Sequence, residues 1–279
     1  MTAVDRDGIR SADRVVVKVG SSSISGENAS RIDAIVDALA AAHARGTEIV
    51  LVSSGAIATA LPLLRLDGRP SDLATQQAAA AVGQNVLMLR YQTSLERYGL
   101  LAGQVLLTAG DLEHATPRSN ARRAMERLLG LRILPIVNEN DTVATHEIRF
   151  GDNDRLAALV AQLIGADALI LLSDIESLYT RHPGEPGAQP IRSVPFGDDL
   201  SRYEFGTVVV NSVGTGGAAT KVSAARLAAA SGVGVLVTSA DRVADALEGR
   251  DIGTWFAPDP EAARPASTGP IGTVAQPRR

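Results

Sequence analysis

At 279 residues, with 45% hydrophobic and 21% charged residues, the chain can build a globular core as one large domain or two small ones. A net charge of −4 and an aromatic content of 3% argue against nucleic-acid partners, since there is little to attract phosphates and little to stack on bases. The absence of cysteine excludes disulfides, thiolate metal sites and cysteine nucleophiles, and is compatible with a cytoplasmic location.

The N-terminus, MTAVDRDGIRSADR, mixes acids and bases and lacks the apolar centre of a signal peptide; residues 1–13 are read as an extension. The first strand, RVVVKVG, places Lys18 among valines, where a charge is costly unless it is paired. The helix SRIDAIVDALAAAHARG follows, with Ser30 as its cap, Gly46 as its stop, and Ile32, Ile35, Val36 and Leu39 on one face. TEIVLVSSGA reads as a second buried strand. The stretch from Ser71, its expected cap, through QQAAAAVGQNVLMLRYQTSLERYG reads as a long helix. Strand LAGQVLLT, helix RSNARRAMERLLG and strand RILPIVNEN come next, then helix NDRLAALVAQLIG and strand ADALILLSD. That last pair is interrupted by Gln162, Gly165 and Asp167, which fits helix and strand better than a membrane span. Helix AATKVSAARLAAASG and strand VGVLVTSAD complete the alternation.

Strand and helix in alternation predict an α/β fold, a three-layer α/β/α sandwich with a mostly parallel central sheet. Residues 14–257 are expected to form one domain, and 258–279, rich in proline and small residues, a flexible tail.

Ligands of open parallel sheets bind beyond the carboxyl ends of the strands. Those ends carry Lys18-Gly20-Ser21-Ser22, Ser53-Ser54-Gly55-Ala56, Asn138-Glu139-Asn140-Asp141 and Ser173-Asp174. Any one of these makes a serviceable turn or cap. Four at equivalent positions point to a ligand site.

Glycine and serine after a strand offer backbone N–H groups to an anion, and Lys18 adds a positive charge. GDNDR, residues 151–155, sets two carboxylates and Asn153 at a helix start, either as a capped terminus or as a functional group. NENDTVA offers both donors and acceptors, which suits a small zwitterion: Asp141 for its cation and amides for its carboxylate. GTGGAATK, residues 214–221, lacks the glycine-lysine-[Ser/Thr] ending of a P-loop. It satisfies GxGxxA with Asp241 beyond, the rival reading of a dinucleotide fold, but no second βαβ unit follows. Thr220 and Lys221 at the helix start suit a polyphosphate equally well. The four histidines, His43, His114, His146 and His182, form no close helical pair for a metal.

Taken in order, VVVKVGSSS, VSSGAIA, QQAAAAVGQ, LLT, PIVNENDTVA, FGDNDRLAALVA, LLSDIESLYT and GTGGAATK resemble the glutamate 5-kinases of the amino acid kinase family, over nearly the whole chain from about Arg14 to Phe256. The resemblance implies phosphoryl transfer from ATP, with Mg²⁺, to the side-chain carboxylate of L-glutamate, the first step of proline synthesis. By the same resemblance Lys18, Lys221 and Asp154 would be catalytic. Lys18, Gly20, Ser21, Ser173, Asp174, Thr215, Gly216, Gly217, Ala218, Ala219, Thr220 and Lys221 would bind ATP. Ser54, Gly55, Asp141 and Asn153 would bind glutamate, and no protein ligand to metal is assigned. It further implies feedback inhibition by proline, handover of the product to glutamate-5-semialdehyde dehydrogenase, and a homodimer or homotetramer without membrane or nucleic-acid partners.

Departures from the family pattern are Ala218 in place of methionine, Ser177 in place of glycine and His182 in place of aspartate, all on the nucleotide side. The RNA-binding PUA domain that many relatives carry is not expected here. The alternatives are a relative with another acceptor, such as acetylglutamate or aspartate, and a nucleotide- or proline-binding sensor without catalysis.

Overall fold

The computed structural model describes residues 5–143, 153–203 and 217–262. Its centre is an eight-stranded sheet made of β1 (Arg14–Val19), β2 (Glu48–Ser53), β3 (Ala102–Leu107), β4 (Leu134–Glu139), β5 (Ala168–Ser173), β6 (Ser193–Val194), β7 (Gly234–Ser239) and β8 (Thr254–Phe256). The order is β3-β4-β2-β1-β5-β7-β8-β6. β3, β4, β2, β1, β5 and β7 run parallel. Only β8 turns antiparallel against β7, carrying β6 parallel to itself.

Helices α1 (Arg31–Ala44), α2 (Ala56–Ala60), α3 (Leu73–Glu96), α4 (Ala109–Glu113), α5 (Ala115–Gly130), α6 (Asn153–Ile164), α7 (Ala218–Ala229) and α8 (Val243–Leu247) connect the strands. None of the described helices is long and apolar enough to cross a membrane.

Alternation along each strand divides the core in two, because successive strand residues face opposite sides of a sheet. Val15, Val17 and Val19 join Leu51, Ile170 and Leu236 under α1, α3 and α8. Val16 joins Val50, Val52, Leu171 and Val237 under α5, α6 and α7. This is the three-layer α/β/α sandwich. Lys18 follows Val16 on the second face, in register with Val52 on one side and Leu171 on the other. Its position in the pleat alone aims it at the layer of α6 and α7.

Several local expectations are corrected. The cap of α3 is Asp72 rather than Ser71: its side chain accepts from the Thr75 N–H at 2.8 Å. Asp72 is the better acceptor because its carboxylate also meets the positive end of the helix. Ser30 precedes α1 but lies in helical backbone and makes no side-chain cap. A short 3₁₀ turn, Gly26–Ser30, leads straight into the helix there and leaves no free first turn to cap. α5 starts earlier than read, at Ala115.

The termini pack more closely than composition indicates. Ile9 is buried in a 3₁₀ turn, Arg6–Ser11, within the core under α1 and α8. Pro258 is buried, and the Asp259 N–H donates to the Ala229 carbonyl at 2.8 Å, so the chain is docked past residue 257.

Gly55 and Gly83 shape the surroundings of α2. Gly55 has φ +97°, the left-handed turn that starts α2 directly after β2. Gly83 lets α3 cross α2 at backbone contact; a Cβ there would overlap the Ala56 carbonyl oxygen.

Candidate active site

The carboxyl ends of β1, β2, β4, β5 and β7 face the starts of α2, α6 and α7, and buried Lys18, Ser53, Asn138, Asn153, Asp154 and Lys221 lie there. At the centre stands Asp154, 2% exposed, in the first turn of α6. Its Oδ1 lies 2.6 Å from Lys18 Nζ and its Oδ2 lies 3.3 Å from Lys221 Nζ. Lys18 and Lys221 are about as buried, at 5% and 6%. Thr220 Oγ1 lies 3.0 Å from Asp154 Oδ2 and accepts from the Gly217 N–H, so the first turn of α7 is tied to the same carboxylate.

The electrostatics follow from this geometry. Burial disfavours the Asp154 carboxylate, but Lys18 and Lys221 outweigh it and hold its pKa down at about 2. The Lys221 ammonium is lowered from the ordinary lysine value by burial first and then by repulsion from Lys18, with Asp154 and Asp174 pulling the other way. Two ammoniums share one buried carboxylate, so the cluster holds a surplus positive charge between the end of β1 and the start of α7. Such a charge balance can hold an anion, and one bearing several charges suits it best.

Gly20 follows β1 at φ −79°, a value open to any residue. A Cβ there would stand 3.7 Å from Lys18 Nζ, at van der Waals contact. Ser21 follows in a 3₁₀ turn, its carbonyl accepting from Ser25 Oγ at 2.7 Å. Across the sheet, Ser173 Oγ donates to exposed Asp174 at 3.1 Å. Gly217 caps α7, with Ala218 and Ala219 in its first turn. Thr215 and Gly216, with Gly151 and Asp152, lie outside the described residues, as does His146.

Asn153 points the other way from Asp154. Its Nδ2 donates to Ser54 Oγ at 3.0 Å, and its buried Oδ1 is left without a partner. The Ser54 N–H in turn donates to the Val19 carbonyl at 3.0 Å, joining the ends of β1 and β2. Ser54 and Asn153 thus form a polar pair next to the charged cluster, with an acceptor to spare.

Asp141 stands apart, past the end of β4. Burial raises its pKa to about 6, and Arg69 opposes the shift. Among the described residues no three histidines, aspartates or glutamates come together as a metal site.

The structure therefore brings Lys18, Asp154, Thr220 and Lys221 into direct contact, and Ser54 with Asn153. Sequence reasoning assigned no role to Gln84 and Tyr91, which reach the ends of β4 and β2 from α3. Their signal in the sequence was weak: polar residues inside an apolar helical face. Of the departures, Ser177 is buried, Ala218 packs on the core, and exposed His182 accepts from the Gly184 N–H at 3.2 Å within its own turn.

Residues 13–239 match the model of the amino acid kinase family. The chain is 70% identical to the glutamate 5-kinase of Clavibacter sepedonicus over 258 residues, covering 92% of this chain and 99% of that protein. It is 67% identical to the glutamate 5-kinase of Leifsonia xyli subsp. xyli over 263 residues, 94% of this chain and 97% of that protein. With the glutamate 5-kinase of Salinispora arenicola it is 53% identical, covering 94% of this chain but 72% of that longer protein. Among solved structures, carbamate kinase from Giardia lamblia bound to AMP-PNP superposes with a TM-score of 0.64 at 16% identity, over 90% of this chain and all of that one. An isopentenyl phosphate kinase gives a TM-score of 0.62 at 17% identity, over 88% of this chain and all of that one. These two share the fold.

Proposed function

The chain belongs to the amino acid kinase family, among its glutamate 5-kinases, and from that premise we propose how its site works. It transfers the γ-phosphoryl group of ATP to the side-chain carboxylate of L-glutamate, giving glutamyl 5-phosphate and ADP, the first step of proline biosynthesis. The observation that carries the residue assignment is the Lys18–Asp154–Lys221 cluster beside the Ser54–Asn153 pair.

The acceptor is a carboxylate with an ordinary pKa of about 4.3, already ionised at neutral pH, so no general base is required. A carboxylate oxygen attacks the γ-phosphorus in line as the bond to the β-phosphate oxygen breaks and ADP leaves. Both partners are anions, so the work lies in orientation and in neutralising charge. Lys18 and Gly20-Ser21 hold the phosphates from the β1 side. Lys221, with the amides of Gly217 to Thr220 and the neighbouring Thr215-Gly216, holds them from α7. Ser173 and Asp174 complete the nucleotide side.

Asp154 keeps the two ammoniums apart and aimed. Ser54, Gly55 and Asn153 hold the acceptor at the end of β2, and Asp141 meets its ammonium. Both oxygens of Asp154 are engaged by Lys18, Lys221 and Thr220, so this carboxylate serves the lysines rather than a metal. Mg²⁺ brought with the nucleotide would add neutralising charge on the phosphates beside Lys18 and Lys221.

With the family reading come the remaining elements of the proposal. Residues 14–257 contain the kinase domain. Proline acts as feedback ligand, and the chain works as a homodimer or homotetramer in the cytoplasm. Because an acyl phosphate hydrolyses readily, the product passes to a glutamate-5-semialdehyde dehydrogenase.

The test is ATP-dependent hydroxamate formation with hydroxylamine as trap, over a panel of glutamate, aspartate and acetylglutamate. Glutamate should give the dominant signal; a signal with another acid alone would overturn the assignment.

A pH dependence follows from Asp141. Its carboxylate form binds the substrate ammonium, and protonation near pH 6 removes that charge. The KM for glutamate should therefore rise as pH falls below about 6, approaching tenfold per pH unit, with kcat changed much less. Asp141→Asn should raise KM at neutral pH and flatten this limb. A KM independent of pH between 5 and 7 would remove Asp141 from the acceptor site.

A further inference from the structure

We propose that α3 is a polar buttress for the acceptor side of the site, with Gln84 and Tyr91 as residues that position the glutamate-holding strand ends. The inference rests on the reading that Ser54, Asn153 and Asp141 hold the acceptor. Gln84 and Tyr91 stand seven residues apart, two turns of helix, with Leu87 between them on the same buried face. Gln84 is 8% exposed and Tyr91 fully buried.

Each makes one bond to a strand end. Gln84 Oε1 accepts from Asn138 Nδ2 at 2.7 Å, and Asn138 Oδ1 accepts from the Glu139 N–H at 2.9 Å. This pins the last turn of β4, from which the chain runs to Asp141. Tyr91 Oη lies 3.0 Å from Ser53 Oγ, which donates to the Ser54 carbonyl at 3.0 Å. Burial raises the Tyr91 phenol well above its usual range, so it stays a neutral donor. Ser54 is the residue that takes Asn153. Gly83, one residue before Gln84, carries the Ala56 carbonyl at the start of α2. One helix therefore fixes the end of β2, the turn after it and the end of β4.

Packing does not account for this polarity. A helix covering a sheet needs only apolar side chains on its inner face, and each buried polar group costs stability unless it is bonded. Gln84 Nε2 is buried with no partner, a cost that leucine or methionine at the same position would avoid. A residue kept at a stability cost, and bonded to the strand that leads into the acceptor site, is placed for geometry. The hold on the acceptor is sensitive to that geometry, because hydrogen bonds weaken steeply once their partners are displaced or misaligned.

The experiment uses the full chain with Tyr91→Phe, Gln84→Met and Gln84→Glu, reading kcat, both KM values and Tm. Tyr91→Phe removes one oxygen, and Gln84→Met keeps the volume while removing the unpaired Nε2, so both should fold. The expected result is a KM for glutamate raised about tenfold, with kcat and the KM for ATP changed by less than about twofold. Gln84→Glu retains an acceptor for Asn138 and should recover part of the loss. Folded variants with wild-type KM for glutamate would overturn the inference, as would equal rises in both KM values, the mark of a merely structural role. Wild-type turnover of glutamate tests the underlying reading separately: if it is present and the variants are unaffected, only the inference fails.

Discussion

Asp154→Asn should lower kcat by about 10²-fold or more while leaving the affinity for ATP unchanged or tighter. The substitution is isosteric but removes the one negative charge that Lys18 and Lys221 share at 2.6 and 3.3 Å. Two buried ammoniums are then left facing each other, and Lys221, already lowered by burial and Lys18, loses its proton more readily. The charge needed by the transferring phosphoryl group goes with it. Breaking a buried ion pair in this way costs about 3–5 kcal/mol of folding stability. Nucleotide phosphates replace the missing anion, so ATP should raise Tm more in the variant than in the wild type. Measured kcat within about threefold of wild type would rule Asp154 out as the organiser of the cluster.

The acid limb offers a second readout. Asp154 titrates at about 2 in the folded chain against 3.8 ordinarily. Its stabilising contribution is therefore whole above pH 3.8 and lost as pH falls from there through about 2, and the variant should lack that loss.

Lys221→Ala should likewise lower kcat by about 10²-fold or more, with the KM for glutamate little changed, because its partner is the group in transfer rather than the acceptor. Lys221 occupies the first turn of α7, whose free backbone amides suit phosphates, so on the proposed reading it adds charge where charge develops. Its pKa lies below the ordinary lysine value of 10.5, so wild-type kcat should fall at an alkaline pH lower than a free lysine would give. Lys221→Ala should flatten that limb. A variant with near-normal kcat would show that Lys18 alone carries the role.

Legibility in the sequence differed by element. The parallel core strands were plain because their valine- and leucine-rich runs admit one reading, a sheet covered on both faces. β6 and β8 were not, being two and three residues long, too short for any period to show. Caps were legible only in part. Ser71 and Asp72 are both competent, and the choice fell to Asp72 through its bond to Thr75, a matter of one residue of phase.

Lys18 at a strand end and Lys221 at a helix start read in the sequence as suited to an anion, while Asp154 took its role only from the family resemblance. Their order along the chain also carried the family resemblance. The sequence by itself determined the layer architecture, since hydrophobic period and residue type are local properties. Residue type and period could not by themselves place Lys18 and Lys221, about two hundred residues apart, on a single carboxylate. Nor could they show that Gln84 and Tyr91 brace the strands from behind. Those facts depend on which helix crosses which strand end, and at what distance. Hydrogen bonds and ion pairs act over about 3 Å, so only the packed fold decides them.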